Sequence, residues 1–342
     1  MNTEDLFNRL LILRTPGIGP SKYNDLIQKF GGVAAAAETL QSNAAIRDSV
    51  MREMDTAQRL GIYYICDDME QYPAALREIK NHPPVLSVRG NVDVLSRPTV
   101  GIVGTRHATA AGIRIASELG NGFAAHGVAV VSGMAMGTDT AAHRGALRAA
   151  GDAQTIAVLA GGVDNIWPVE NESLYWEIVA RGAVVSEMPV GAAPLAQHFV
   201  IRNRWIAGIA NKLILGEADL KSGSMTTARF AIESGREIWA IPSHPLDSRA
   251  AGPNSLIKTG AAKLCCGITD FFSTEKNSSK LQKNEKNLTS ENSVLDALGI
   301  IPVSESVLSE IVKKSVSEIK AELVVLELRG LVRKVDGGYV RA

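Results

Sequence analysis

Cysteine is scarce in this chain: Cys66 and the adjacent pair Cys265-Cys266 are the three in 342 residues. They lack the spacing of a metal site, and their scarcity fits a reducing cytoplasm. Net charge is missing too, with 36 basic residues against 36 acidic ones. The protein as a whole therefore exerts no electrostatic pull on nucleic acid, and any such binding must come from a local cluster. No apolar run approaches a membrane span, and Met1-Asn2-Thr3-Glu4-Asp5 is acidic and polar, unlike a secretory signal. A cytoplasmic protein without membrane contact is expected. The absence of a Gly-x-x-x-x-Gly-Lys-Ser/Thr run argues against a P-loop ATPase.

What is present suggests several domains. Residues 1–62 read as helical: Leu6, Leu10, Leu11 and Leu13 precede Thr15-Pro16-Gly17-Ile18-Gly19-Pro20, and Tyr23, Leu26, Ile27 and Phe30 follow at helical spacing. A Gly-Ile-Gly turn between two helices is the helix-hairpin-helix signature. Its N–H groups could grip a DNA phosphate, or its glycines could simply permit a tight turn. With Arg14, Lys22 and Lys29 as the basic residues nearby, both readings stand. Over residues 63–272, after a lead-in with a short strand at 83–90, apolar strands at 100–103, 128–131, 155–159, 183–185, 212–215 and 237–241 alternate with helices at 110–125, 138–149, 172–180, 203–210 and 226–234. That alternation predicts an α/β, Rossmann-like, doubly wound and mostly parallel sheet covered on both faces. Residues 273–288 have the polar composition of a flexible linker. Residues 289–342 read as a winged-helix module, with helices at 294–298, 304–312 and 315–328 and a hairpin turning at Asp336-Gly337-Gly338.

The densest chemical signal is Val100-Gly101-Ile102-Val103-Gly104-Thr105-Arg106, followed by Thr109 and a helix. A strand ending in Gly-Thr-Arg before a helix is expected to aim backbone N–H groups and a guanidinium at one anion. It differs from the G-x-G-x-x-G dinucleotide fingerprint, and it suggests a phosphate that is held, with no sign of transfer. The other loops at the carboxyl ends of the strands carry Ser132-Gly133-Met134-Ala135, Gly161-Gly162, Ser186-Glu187, Glu217 and Ser222-Gly223-Ser224. Glycine and hydroxyl residues there let N–H groups approach an anion. In Phe199-Val200-Ile201-Arg202-Asn203-Arg204-Trp205, Arg202 and Arg204 flank Asn203 at an expected helix start. Arginines suit phosphates, asparagine suits base edges or sugars, and Phe199 offers a stacking face, whereas Trp205 is expected in the core. Arg106, Arg202 and Arg204 are expected to form one basic site. Asp139 and His143 fall four apart on a helix, but no third ligand and no nucleophile elbow accompany them. They are expected to be structural, Asp139 at a helix N-terminus with His143 hydrogen-bonded beside it. No metal and no cofactor are expected.

Taken together, these residues resemble the DprA/Smf family of bacterial DNA-processing proteins over nearly the whole chain. The resemblance rests on Tyr72-Pro73 through Gly90-Asn91, Gly104-Thr105-Arg106 with Thr109, and Ser132-Gly133 through Gly137, Asp139 and His143. It continues through Gly161-Gly162, Trp167-Pro168, Ser186-Glu187, Phe199 with Arg202-Asn203-Arg204, Ser222-Gly223-Ser224 and Gly252 to Gly260-Ala261. It implies a non-enzymatic protein that binds and protects single-stranded DNA entering during natural transformation and loads RecA recombinase onto it. It also implies a homodimer built through the Rossmann-like domain. The implied phosphate pocket is Gly104, Thr105, Arg106, Ser132 and Gly133, with Arg202, Asn203 and Arg204 alongside and Phe199 as the stacking candidate. Thr109, Gly161, Lys221, Ser222, Gly223 and Ser224 complete the expected single-strand-binding set.

Two features depart from that pattern. Met136 stands where the family commonly has lysine or arginine; if a cation there normally contacts DNA, that contact is lost here or moved elsewhere, with Lys221 a candidate replacement. The winged helix carries Glu318, Glu322 and Glu327 against Lys320, a poor fit to a phosphate-lined groove. A protein-docking or regulatory role is expected there. The competing reading is a Rossmann-like nucleotide-binding hydrolase of the phosphoribohydrolase type. Those enzymes keep a glutamate in a Gly-Gly-x-Gly-Thr-x-x-Glu loop. Here Lys221-Ser222-Gly223-Ser224-Met225-Thr226-Thr227-Ala228 has none before Glu233, which argues against hydrolysis. A pure scaffold with a vestigial pocket would have little reason to keep Arg106, Arg202 and Arg204.

Overall fold

Short apolar runs, each closing on a small or polar turn, build a nine-stranded sheet. Its strands are β1 (Ile62–Cys66), β2 (Val85–Gly90), β3 (Thr99–Val103), β4 (Ala129–Ser132), β5 (Thr155–Val158), β6 (Ala183–Ser186), β7 (Lys212–Leu215), β8 (Glu237–Ala240) and β9 (Lys263–Leu264). The order across the sheet is β1-β2-β6-β5-β4-β3-β7-β8-β9. From β6 to β9 every pairing is parallel, and β2 and β1 extend that edge antiparallel. The computed structural model describes residues 2–40, 43–150, 155–272, 293–299 and 301–342. The expected linker at 273–288 lies outside the described residues. Contacts divide the chain into a unit at 1–272 and a second at 273–342.

Strands β3 to β6 are buried at every position, which is why their sequences are continuous apolar runs. Successive residues face opposite sides. Val100, Ile102, Val130 and Ile214 pack with α6 (Ala110–Ala125) and α7 (Thr138–Leu147). Val103, Val131, Leu213 and Leu215 pack with α9 (Ala196–Ile209) and α10 (Gly223–Glu233). The helix between these pairs, α8 (Glu172–Arg181), adds Leu174, Tyr175 and Ile178 to a third core. Helices α6 and α7 lie close because Gly120 and Gly145 carry no side chain: a Cβ at Gly145 would overlap Ser117 O and lie 2.8 Å from the carbonyl carbon. Strand β3 is followed by α6 on one face, and its neighbour β7 by α10 on the other. The chain therefore opens a crevice between their carboxyl ends, where ligands of doubly wound sheets bind.

The N-terminal residues form α1 (Thr3–Arg14), α2 (Pro20–Phe30), α3 (Val33–Glu38) and α4 (Ala44–Arg59), joined first by a hairpin in which Gly17 has φ +80°. Leu11, Ile12, Tyr23, Ala36 and Ala37 make their own small core, while Leu10, Val50 and Ala57 merge with Tyr64, Leu159 and Tyr175 of the sheet domain. Two ionic contacts reinforce the packing: Arg14 bonds Glu53 through both Nε and Nη2 at 2.8 Å, and Arg9 reaches Asp67 and Asp68. A short helix, α5 (Ala74–Arg77), packs against α9.

The C-terminal unit has helices Ser293–Ala297, Glu305–Val312 and Val316–Leu328 and the antiparallel hairpin Val332–Val335 with Gly338–Arg341. Leu308, Ile319, Leu323, Leu326, Val332 and Tyr339 form its core. This is the expected winged helix. Glu318 bonds back to the N–H of Ser315 (2.8 Å) as half of a capping box, and Glu322 pairs with Lys314.

The longest departure from the sequence expectation is α9, which begins at Ala196 and not near 203. Phe199, Val200 and Ile201 have weak helix propensity, yet burial of Trp205, Ile206 and Ile209 against the sheet carries the helix through them. Strands β1 and β9 were not expected; β9 has two residues, and its length gives no periodic signal. Among the described residues, no helix is long and apolar enough to cross a membrane, and no group of three His, Cys, Asp or Glu residues could hold a metal ion.

Candidate nucleic-acid interface

The crevice between β3 and β7 encloses about 270 Å³ and is lined by Gly104, Thr105, Arg106, Asp139, Arg202, Asn203, Ser222, Gly223 and Ser224 among others. Eight of these nine, all but Asp139, belong to the expected single-strand-binding set, and the fold brings those eight together from three separate segments. Gly104 is required by close packing, since a Cβ there would come within 2.9 Å of Thr138 Cβ.

The β3–α6 turn does not aim its N–H groups as expected. Thr105 N donates to Glu217 O (2.6 Å), His107 N to Thr105 Oγ1 (3.2 Å), and Thr109 N to the Glu217 carboxylate (2.7 Å). Thr109 Oγ1 also donates to Glu217 while accepting from Gly112 N (3.0 Å). A buried carboxylate thus occupies the positive end of α6, the place where an external anion would otherwise be drawn. The N-terminus of α10 is different. Ser222 caps it, accepting from Met225 N (3.4 Å), and Gly223 and Ser224 face the crevice. Lys221, next to them, is exposed and outside the lining.

The three arginines do not form one cluster. Arg106 is exposed at the lip, its guanidinium 5.2 Å from the ring centre of Trp167 and 5.9 Å from that of Phe199. Arg202 is buried below, where Nη1 donates to Gly133 O and to Val158 O (2.8 Å). Arg204 turns away and donates from Nη2 to Lys80 O (2.6 Å). The cause is geometric: the residues sit inside α9 and not at its start, and positions two apart on a helix point to nearly opposite sides. Asn203, between them, reaches across to Gly223 O (3.3 Å) and ties α9 to α10.

Burial governs the charges on the floor. It holds Arg202 down to about 10, against the opposing pull of Asp139. It pushes the Asp139 carboxyl up, countered by Arg202 and by the N–H groups of Ala135 and Gly133. Asp139 therefore organises the β4–α7 loop, accepting from Gly133 N (3.1 Å) and Ala135 N (3.4 Å). His143 lies apart from it, its Nδ1 2.7 Å from Thr155 Oγ1. Thr155 Oγ1 also lies 3.0 Å from Val130 O, to which it can donate. Burial, with the charge of Arg202, lowers His143 to about 3. Ser132 is wholly buried and donates to Ile102 O (2.6 Å). Gly133 leaves room for Arg202, whose Cζ would lie 2.5 Å from an added Cβ.

Phe199 is half-buried and meets Trp167 edge-on, ring centres 4.6 Å apart at 65°. Both line a small neighbouring cavity with Gly133, Gly161, Asn165 and Arg202. Trp167 was not expected at the site. Its signals were the Trp167-Pro168 motif of the family resemblance and an aromatic residue closing the glycine loop that follows β5. Trp205 lies in the core as expected.

Comparison with known proteins places these residues in a wider set. Residues 63–276 match the family described as DNA recombination-mediator protein A. Residues 3–59 match a DprA-like N-terminal HHH domain, and 284–338 a DprA winged helix domain. The chain is 32% identical to Protein Smf of Escherichia coli over 306 residues, covering 86% of this chain and 81% of that one. It is 38% identical to Protein Smf of Synechocystis over 212 residues, 61% of this chain, and spans about half (53%) of that relative's length. The solved structure of DNA processing protein A from Helicobacter pylori, described for its single-stranded DNA binding mode, superimposes with a TM-score of 0.56 at 29% identity, over 64% of this chain and 96% of that one.

Proposed function

Since the chain belongs to the DprA/Smf family of DNA recombination-mediator proteins, we propose that it binds single-stranded DNA at the crevice between β3 and α10 and hands the strand to RecA. The observation that carries this reading is the lip of the crevice, where the Arg106 guanidinium lies over the Trp167–Phe199 pair beside the open N-terminus of α10. A strand needs a cation and N–H groups for its backbone and an aromatic surface for its bases, and neither reads sequence. On a protein with no net charge, such a site is the kind of local feature that could attract DNA.

In this reading the protein is no enzyme. It protects incoming strands during natural transformation, works in the cytoplasm, and dimerises through the Rossmann-like domain so that two crevices engage one strand. Joining two weak sites raises apparent affinity through effective concentration. A hydrolase reading finds little support: the α10 loop has no glutamate before Glu233, and the Asp139 carboxylate in the crevice is already engaged by two N–H groups.

The experiment is a mobility shift on single-stranded and blunt duplex DNA across a salt series. Single strands are expected to bind more tightly, with affinity falling as salt rises. Equal affinity for the duplex refutes the reading. RecA ATP hydrolysis on strands coated with single-strand-binding protein tests the handover: acceleration is expected, and intact DNA binding without it leaves a single-strand binder alone.

A further inference from the structure

We propose that the crevice ends in a seat for a terminal phosphomonoester, so that nucleoside 5′-monophosphates and 5′-phosphorylated strand ends enter it in preference to internal phosphodiesters. The proposal rests on the single-strand reading above and specifies the ligand of the same site.

Donors converge on the crevice from three sides. The N-terminus of α10, an eleven-residue helix, contributes Gly223 and Ser224. Arg106 stands on the lip. Arg202 rises from the floor, 5% exposed, with a buried Nε that has no hydrogen-bond partner in the protein. A buried N–H without a partner is rare in native proteins and points to a missing acceptor. The other helix that begins here, α6, cannot supply that role because Glu217 already occupies its end.

The shape selects an end over a passing strand. The floor is shut by Arg202 bonded to Gly133 O and Val158 O, and by Asp139 bonded to Gly133 N and Ala135 N. The charge of Asp139 faces Arg202 and those two N–H groups, so it does not stand unopposed against an anion. At about 270 Å³ the crevice sits near the small end of ligand pockets, which run from roughly 300 to 1,000 Å³. The adjoining cavity, about 10 Å³, is too small for a base, which leaves the base to the outer surface of Phe199 and Trp167. A monoester offers three terminal oxygens and up to two negative charges to donors on three sides. A phosphodiester offers two free oxygens and one charge.

The test is competition against a fluorescent 5′-hydroxyl oligo(dT) on the full-length protein, using thymidine 5′-monophosphate, its methyl phosphodiester and thymidine. The monophosphate is expected to compete on the order of tenfold better than the diester, the value of one further charge-assisted bond. Thymidine is expected to compete negligibly. A 5′-phosphorylated oligo(dT) is expected to bind more tightly than the hydroxyl strand; equal binding of the two overturns the proposal for strand ends. Ser224→Asp, which places a carboxylate where the helix tolerates one, abolishes the monophosphate effect with an unchanged melting temperature. Arg202→Lys, which keeps the charge but removes Nε–H, weakens it. Equal competition by monoester and diester, or none by either while oligo(dT) binds, overturns the seat and leaves single-strand binding standing. If the wild type does not bind oligo(dT), the single-strand reading fails. Calorimetric titration with the monophosphate then decides the seat: heat abolished by Ser224→Asp supports it, and no heat overturns it.

Discussion

Replacing Arg106 by alanine removes the one cation that both lines the crevice and reaches solvent, among the residues described there. Its loop is held independently of the side chain, by Thr105 N on Glu217 O and by Thr109 on the Glu217 carboxylate. The fold should therefore lose no more than about 1 kcal/mol, the value of an exposed contact between a cation and the Trp167 and Phe199 rings. A hydrogen bond to a charged group contributes roughly 1.5–3 kcal/mol, which corresponds to roughly a ten- to hundredfold rise in Kd for a single strand. Losing one phosphate contact should also flatten the slope of log affinity against log salt by about 0.7. Arg106→Lys keeps the charge but loses the planar fork over Trp167 and Phe199, so its Kd should fall between the two. Fluorescence anisotropy with labelled oligo(dT) over a potassium chloride series measures both quantities. A Kd within about twofold of wild type and an unchanged salt slope, with the melting temperature intact, would refute the reasoning that Arg106 contacts the backbone.

Phe199→Ala should weaken single-strand binding by about tenfold, within the roughly 1–3 kcal/mol of one stacked base, while Phe199→Trp should retain it; the same anisotropy assay checks both. His143 is neutral in the fold, near 3, whereas an unfolded histidine titrates near ~6.5. Between those values the unfolded chain binds a proton that the native one refuses, so native stability falls as pH drops through this window. Lowering the pH from ~7 to ~5 should cost wild type about 2 kcal/mol more than His143→Asn in urea unfolding, and parallel losses would contradict the assignment. Gly145→Ala should destabilise by about 1–3 kcal/mol despite alanine's better helix propensity, because the added methyl meets the Ser117 carbonyl of α6; a raised melting temperature would show that the two helices can separate.

The sequence by itself determined the layers. Continuous apolar runs at 100–103, 128–131, 155–159, 183–185 and 212–215 call for strands buried on both faces, as in a parallel sheet covered by helices, and that periodicity is local information. It also determined which loops meet, because consecutive βα units place every carboxyl end on one edge. Hence Gly104, Arg106 and Ser222 to Ser224 are legible as neighbours in the sequence, and the crevice brings them together. Only the tertiary structure decided what those residues do there. Arg202, Asn203 and Arg204 are contiguous, yet the rotation of α9 sends one under the crevice, one across to α10 and one out to Lys80. The N-terminus of α6 looked like the anion site, yet Glu217, 108 residues beyond Thr109, had already filled it. Long-range partners of this kind leave no periodic trace in a chain. A helix dipole attracts whichever negative charge the fold brings nearest, and that choice is made in space.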